Sequence, residues 1–409
     1  MAAASLVGCA TQTLRQTQEG VALTPSVESA STASTAERGH PAAGGFGTVF
    51  AMTKSGNVTV LHTFGGASGD GANPYAGVID LNGTLYGTTE SGGANNRGTV
   101  FGIAPSGAET VLHSFGGSGD GADPLAGLVN VQGALYGTTL RGGAYDDGTV
   151  FSITPSGTET VLHSFKGWRH DGTYPAGKLL DVKGTLYGTT EYGGKDGHCA
   201  TGSKSRSIYG CGAVFKITTS GEETLLYSFD AAPAAFPDAG LINVNGTLYG
   251  TAGEPHTSGR GIVFKISTSG KESNLYNFPL SGSNGADPIA GLLNVNGTLY
   301  GTTRIGGAHN DGTVYAVTTS GTQTVLHRFA GSRDGKYPYA GLIKVGGTLY
   351  GTTRRGGDFG RGTVFAITTS GAERVIHSFR GGSAGRHPYA GLLDIKGILY
   401  GTTFVGGAN

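Results

Sequence analysis

The sequence is short of net charge, proline and long apolar runs, and each shortage excludes a class of protein. Its 28 Lys and Arg balance 28 Asp and Glu, which argues against a nucleic acid or an anionic membrane surface as a partner. No apolar run approaches the roughly 18 residues that a membrane-spanning helix needs. With only 14 Pro, and with glycines that follow no three-residue period, the chain is not collagen.

Glycine is the residue present in excess, with 77 among 409 residues. A helix interior loses about 1 kcal/mol for each Gly relative to Ala, so a helical protein is excluded.

Two short strings recur seven times each, with a period near 50 residues. Leu-Tyr-Gly-Thr begins at Leu85, Leu135, Leu186, Leu248, Leu299, Leu349 and Leu399. Gly-Thr-Val-Phe, or a close variant, opens at Gly47, Gly98, Gly148, Gly212, Gly261, Gly312 and Gly362. A fixed period of this length is the signature of a solenoid or a propeller.

Each unit is predicted to hold four short strands. In the second unit these are Ala126–Val131, Ala134–Thr139, Gly148–Thr154 and Thr158–Phe165, since β-branched and aromatic residues between Gly, Asn and Ser are typical of strands. Asn-Gly pairs lie at the turn between the first and second strands, where a tight hairpin needs a positive φ at both central residues. Four antiparallel strands repeated radially predict an all-β fold, a β-propeller.

The two chain ends carry complementary halves of a unit. The first repeat-like strands are of the third and fourth kind, at Gly47–Thr53 and Asn57–Phe64, and the last are of the first and second kind, at Ala390–Ile395 and Ile398–Thr403. We therefore expect six continuous blades and a seventh, closing blade shared by the N- and C-terminal strands, which leaves no open sheet edge.

The unit resembles known tandem repeats. Its Tyr strand followed by Gly-Gly is similar to a kelch blade, but the kelch Trp is missing, because the chain has only Trp168. The segment from Leu349 to Gly371 is more similar to the GloVer-type repeat of bacterial "choice-of-anchor" proteins. The resemblance spans about Gly47 to Asn409 and implies a surface or exported protein, with no known activity and no catalytic residues to transfer.

The N-terminal region is predicted to be a tether. Residues 6–10, which include Cys9, resemble a bacterial lipobox, so residues 1–9 are interpreted as a truncated lipoprotein signal with Cys9 as the lipidated residue. An accidental match is the alternative, because residues 1–5 carry no Lys or Arg. Residues 10–45, rich in Ser, Thr and Ala, are interpreted as disordered linker, and residues 46–409 as the propeller.

Cys199 and Cys211 lie in or beside the one large insertion of the repeat. A disulfide between them would stabilise that loop by about 3 kcal/mol; free thiols are the alternative, and two cysteines do not make a metal site. The disulfide and a lipobox together point to an oxidising, extracytoplasmic compartment.

The link between the second and third strands and the link between consecutive units are long, and a propeller brings both to one face, here named the long-loop face. Tyr75, Tyr339 and Tyr389 follow the Pro that opens an innermost strand, so they are expected to ring the mouth of the central channel. Exposed aromatic residues with few charges suit stacking on a sugar or capping a peptide. Packing between neighbouring loops is the alternative.

Units three and four depart most from the repeat, which makes their loops the second candidate for a ligand site. The candidate residues there are Trp168, Arg169, His170, Arg206, Tyr209, Glu254, His256 and Arg260. Drift in a tolerant loop explains the same departure equally well.

Two repeated polar features are interpreted as structural. Asp70, Asp120, Asp171 and Asp334 each precede a Gly; one carboxylate per loop is too few for calcium, and Asp-Gly is common in turns, so no metal is expected. Five histidines share one place in the fourth strand and are interpreted as packing residues: His62, His113, His163, His327 and His377.

These observations favour a non-catalytic, extracytoplasmic binding or scaffold module. Its expected partner is a glycan, a peptide or an envelope protein, met through the long-loop face, with no cofactor, no nucleic acid, a monomeric state and membrane contact only through a lipid anchor. The alternative is an extracytoplasmic hydrolase or lyase that uses Glu254, His256 and Arg260 as acid/base groups.

Overall fold

A computed structural model describes residues 45–65, 69–195, 199, 210–230, 235–253, 261–279 and 283–407. These residues form seven four-stranded antiparallel sheets, the blades of an all-β propeller, which confirms the predicted fold. Blades 1 to 6 are continuous in sequence, and blade 7 combines the two ends of the chain.

The strands are short and nearly constant in length from blade to blade. Given in order from blade 1 to blade 7, the first strands are Ile79–Leu81, Val129–Val131, Leu180–Val182, Ile242–Val244, Leu293–Val295, Ile343–Val345 and Leu393–Ile395. The second strands are Thr84–Thr89, Ala134–Thr139, Thr185–Thr190, Thr247–Gly253, Thr298–Thr303, Thr348–Thr353 and Ile398–Thr403. The third strands are Thr99–Ile103, Thr149–Ile153, Ala213–Thr218, Gly261–Ser267, Thr313–Thr318, Thr363–Thr368 and Thr48–Thr53. The fourth strands are Glu109–Ser114, Glu159–Ser164, Glu223–Ser228, Glu272–Phe278, Gln323–Arg328, Glu373–Ser378 and Val58–Thr63.

Short elements also join the loops of the long-loop face. Three two-residue pairs bridge the two long links of a blade, Gly71–Ala72 with Ser91–Gly92, Gly121–Ala122 with Arg141–Gly142, and Gly335–Lys336 with Arg355–Gly356. A 3-10 turn covers Gly382–Ala384.

The closing blade forms as predicted. Thr48–Thr53 pairs antiparallel with Ile398–Thr403, from Thr48 opposite Thr403 to Thr53 opposite Ile398. The Oγ1 atoms of Thr48 and Thr403 lie 2.9 Å apart and are buried. The chain ends are therefore joined by a full strand pair, so the ring has no open edge in this blade.

The hairpin between the first and second strands shows why its turn needs Asn-Gly. In blade 1, Asn82 has φ 56° and Gly83 has φ 85°, the pair of positive values that a type I′ turn requires. The Asp80 carboxylate accepts a hydrogen bond from the Gly83 N–H at 3.0 Å, and Asn130 does the same for Gly133 in blade 2.

The core lies between blades, where one aromatic contact is repeated around the ring. The Phe that follows each fourth strand meets the aromatic residue of the third strand in the next blade edge to face, with centroids 5.1 to 5.4 Å apart at all seven interfaces. Such geometry adds about 1 kcal/mol per pair to the burial of apolar area. The interfaces with blade 7 keep the contact, through Phe379 to Phe50 and Phe64 to Phe101.

Candidate functional site

The links between blades carry a Pro, and the residue before it is strained in every blade. These seven residues have φ of 55° to 60°, namely Asn73, Asp123, Tyr174, Phe236, Asp287, Tyr337 and His387. Proline disfavours helical conformations of the preceding residue, and a left-handed non-Gly residue costs about 1 kcal/mol or more. Backbone hydrogen bonds offset that cost, as where Glu90 N–H donates to the Asn73 carbonyl and Asn73 N–H to the Phe46 carbonyl.

This fixed backbone places the residue after each Pro against the central channel. We name these seven residues the channel mouth: Tyr75, Leu125, Ala176, Asp238, Ile289, Tyr339 and Tyr389. All seven line one cavity of about 610 Å³, a volume within the range of small-molecule sites.

Beyond the mouth the channel wall is backbone rather than side chain. Six blades place a Gly in this wall at the third position after the Pro, and these residues form a glycine collar: Gly77, Gly127, Gly240, Gly291, Gly341 and Gly391. A Cβ at Gly341 would lie 2.5 Å from the Gly291 carbonyl oxygen, so the backbones of these neighbouring blades approach closely. Blade 3 has Lys178 at this position, and burial lowers the pKa of its amine.

One side of the mouth is aromatic. Tyr389 lies between Tyr75 and Tyr339, with ring centroids 4.8 and 4.9 Å away, and we name these three residues the tyrosine arc. The Arg354 guanidinium lies over Tyr389 at 5.0 Å and over Tyr339 at 5.7 Å. Burial, together with the neighbouring tyrosines and Asp238, raises the pKa of Tyr75 well above its usual range. The arc therefore presents ring faces and hydroxyl groups.

The opposite side of the mouth is acidic. Asp238 lies near Glu191, Asp287 and Arg304, and burial, then the two carboxylates, raise the pKa of Asp238 well above its usual range. The Arg304 Nε and the Asp287 carboxylate form a buried ion pair, and Arg304 also hydrogen-bonds the Tyr339 hydroxyl. Arg304, the one guanidinium beside Asp238 in the described part of the chain, is thus already engaged by two other groups.

The predicted site residues fall into three groups. Tyr75, Tyr339 and Tyr389 meet at the channel mouth, whereas Trp168, Arg169 and His170 are not among the residues that line the cavity. The Arg169 guanidinium instead stacks on the Trp168 ring at 4.2 Å. The other predicted site residues lie outside the described residues: Cys9, Arg206, Tyr209, Glu254, His256 and Arg260.

Sequence reasoning overlooked Asp238, Lys178, Glu191 and the two arginines of the mouth. Two signals could have found the first two. Asp238 occupies the position after Pro where three other blades have Tyr, and Lys178 replaces the Gly that the other six blades have at the third position after Pro.

The repeated histidines and Asp-Gly pairs meet at the outer edges of the blades. His113 Nε2 lies 3.0 Å from an Asp120 carboxylate oxygen, and Asp120 also accepts hydrogen bonds from the Gly116 and Gly121 N–H groups. His163 with Asp171 and His327 with Asp334 repeat the pair at 2.8 and 3.0 Å. The Asp carboxylates are thus engaged by backbone and imidazole, which agrees with a structural role.

A Glu from the next blade completes each of these clusters. Glu109, Glu159, Glu223 and Glu373 each bring a carboxylate oxygen within 4.8 Å of one His and Asp pair. Burial, the largest cause in each case, raises the pKa of each of these four carboxyls to about 7. Blade 5 has Gln323 at this position, so a neutral side chain is compatible with the fold.

We expect Glu159→Gln to stabilise the protein at pH 8 but much less at pH 5. The pKa of Glu159 is raised from 4.5 to about 7 in the folded state. The protonated carboxyl therefore contributes fully to the free energy of unfolding below pH 4.5, and this contribution is lost as the pH rises through 7. Because the carboxyl is only half-buried, we expect Glu159→Gln to raise the free energy of unfolding at pH 8 by about 1 kcal/mol. Urea unfolding at both pH values measures it, and Gln323→Glu should show the opposite sign at pH 8. Equal changes at both pH values would contradict the assignment.

Cys199 and Cys211 form the predicted disulfide, which is consistent with an extracellular location. Cys211 is fully buried and packs with Tyr192 and Phe236. In the part of the chain that the structure describes, no helix is long and apolar enough to span a membrane.

Comparison with solved structures shows the fold alone. A lectin from Burkholderia pseudomallei is 10% identical, with a TM-score of 0.50, over 81% of this chain and 95% of the lectin. The type-IX secretion component PorZ of Porphyromonas gingivalis is 15% identical, with a TM-score of 0.47, over 79% of this chain and 44% of PorZ. A puromycin hydrolase complexed with PGG is 14% identical, with a TM-score of 0.46, over 85% of this chain and 54% of the hydrolase. The chain thus spans about half the length of the hydrolase and of PorZ.

A comparison with curated proteins found no match. The family described as the Gloeobacter/Verrucomicrobia repeat matches residues 33–201 and 195–409. These two matches cover the whole propeller and confirm the resemblance to the GloVer-type repeat, whereas the likeness to kelch goes no further than the blade architecture. The chain belongs to the Gloeobacter/Verrucomicrobia repeat family.

Proposed function

We propose that this propeller is a non-catalytic, extracytoplasmic binding module that holds a sugar at the channel mouth. The tyrosine arc beside a cavity of about 610 Å³ carries this proposal. Tyrosine rings stack on the apolar face of a sugar ring, and their hydroxyls meet its polar edge. The disulfide supports the extracytoplasmic location, since disulfides persist in oxidising compartments.

The mouth offers both kinds of contact that such a ligand needs. Tyr75 and Tyr339 are partly exposed to the channel, while Tyr389 between them is 95% buried and holds their spacing. Arg304 and Asp287 keep the polar groups beside Tyr339 in place through their ion pair. Preorganised aromatic and polar groups in one concave site are what small-ligand sites share.

We expect Tyr339→Ala to weaken sugar binding by about ten-fold, because one aromatic stacking contact contributes about 1 kcal/mol or slightly more. A glycan array with the purified protein would select the ligand, and calorimetry would compare the variant with the parent. Tyr145→Ala is the matched control, since Tyr145 is an aromatic residue 57% exposed on a loop and is absent from the cavity wall. An array without binding, or an affinity that Tyr339→Ala leaves unchanged, would defeat the proposal.

A further inference from the structure

We propose that the sugar bound at the channel mouth carries a primary ammonium group, so that the propeller recognises amino sugars in their unacetylated form. This inference rests on the proposed function and adds the charge of the ligand. It assigns the ammonium to Asp238 and the sugar face to the tyrosine arc.

Asp238 is the first observation. It lines the cavity, yet its Oδ1 atom is buried and has no hydrogen-bond partner among the described residues. A buried carboxylate oxygen without a partner is costly. A cation in the cavity beside this carboxyl group offsets part of that cost, and an ammonium group also supplies N–H donors for a carboxylate.

The charges around Asp238 are the second observation. Among the described residues, Glu191 and Asp287 add negative charge beside it, and Arg304 is the one cation that acts on it. Because Arg304 is paired with Asp287 and hydrogen-bonded to Tyr339, the acidic side keeps an excess of carboxyl groups. Lys178 lines the same cavity, and burial lowers the pKa of its amine.

The position of the acidic side relative to the tyrosine arc is the third observation. Asp238 and the arc belong to one mouth, and Asp238 acts on the Tyr75 hydroxyl electrostatically. A ligand with an ammonium group and a flat ring face therefore has a partner for each of them on the wall of one cavity. An amino sugar carries both.

The test uses three β-1,4-linked tetramers that differ only at C2: glucosamine, N-acetylglucosamine and glucose. We expect the glucosamine tetramer to bind at least about ten-fold more tightly than the other two, since a hydrogen bond between charged groups contributes about 1.5 kcal/mol or more. Asp238→Asn, which keeps the shape of the side chain, should remove the preference. Asp80→Asn is the control, because Asn130 makes the same turn contact in blade 2.

The outcomes separate this inference from the proposed function. Equal binding of the three tetramers, or a preference that survives Asp238→Asn, overturns the inference while the proposed function stands. Binding of other sugars but of none of these tetramers also overturns the inference and leaves the proposed function in place. A blank glycan array overturns both.

Discussion

Gly351→Ala is expected to lower the free energy of unfolding by about 3 kcal/mol. Gly351 is the Gly of Leu-Tyr-Gly in blade 6, and a Cβ there would lie 2.5 Å from Phe365 Cζ and 2.8 Å from Leu342 Cδ2. Both neighbours are buried side chains of the core, so the added methyl group overpacks a close-packed interior. Urea unfolding of the variant and the parent measures the difference.

Gly347→Ala is the matched control four residues away. No atom lies within 4 Å of a Cβ at Gly347, and its φ is outside the left-handed range, so the same substitution should change stability by no more than about 0.5 kcal/mol. Phe365→Leu in the Gly351→Ala background should recover part of the loss, because the two side chains compete for one volume. Similar changes in stability at positions 347 and 351 would show that the Phe365 side chain does not pack over Gly351.

A disulfide introduced by Thr48→Cys and Thr403→Cys is expected to raise the stability by about 5 kcal/mol. The two threonines are paired across the closing blade, with Oγ1 atoms 2.9 Å apart and a sequence separation of 355. In the chain-entropy account, a crosslink over so long a loop restricts the unfolded chain strongly. Guanidinium unfolding of the oxidised variant and the oxidised parent, both with the Cys199–Cys211 disulfide intact, measures the gain.

The control is the equivalent pair in blade 1, introduced by Thr89→Cys and Thr99→Cys. These Oγ1 atoms are 2.8 Å apart, but the separation is only 10 residues, so the gain should be about 3 kcal/mol or less. The local geometry is the same, hence any strain should be common to both crosslinks. Equal gains, or failure of the Thr48–Thr403 crosslink to form, would contradict the closing blade.

The fold could be predicted because repetition makes it visible in the sequence. Seven copies of Leu-Tyr-Gly-Thr fix the number of blades, and the kinds of strand at the two ends predict the shared blade. The boundaries were less accurate: Ala126–Val131 was predicted as a strand, and only Val129–Val131 is one. Ala126 and Gly127 instead line the channel wall. There the backbone lies close to the neighbouring blades and does not pair with the second strand of its own blade.

The candidate site could be predicted only where it follows the repeat. Tyr75, Tyr339 and Tyr389 share one position after Pro, so periodicity alone places them at the mouth. Asp238 shares that position as well, but a single carboxyl among apolar and aromatic residues looks like variation. Its importance depends on Glu191, Asp287 and Arg304, which three different links bring to it and which sequence distance conceals.

The outer histidines show the same limit. Their shared place in the fourth strand predicts packing, and each of the five rings does pack edge to face on the following Phe. The partner carboxylates come from the next link and the next blade, as Asp120 and Glu159 do for His113. No pattern within one unit contains the whole cluster.

A crystal structure of the protein with a bound sugar tetramer tests the central claim most directly. The account predicts a sugar ring in contact with Tyr339 at the channel mouth, with a polar substituent directed at Asp238. A sugar bound instead in a groove between the outer strands of two blades, with the tyrosine arc free of ligand, would contradict it.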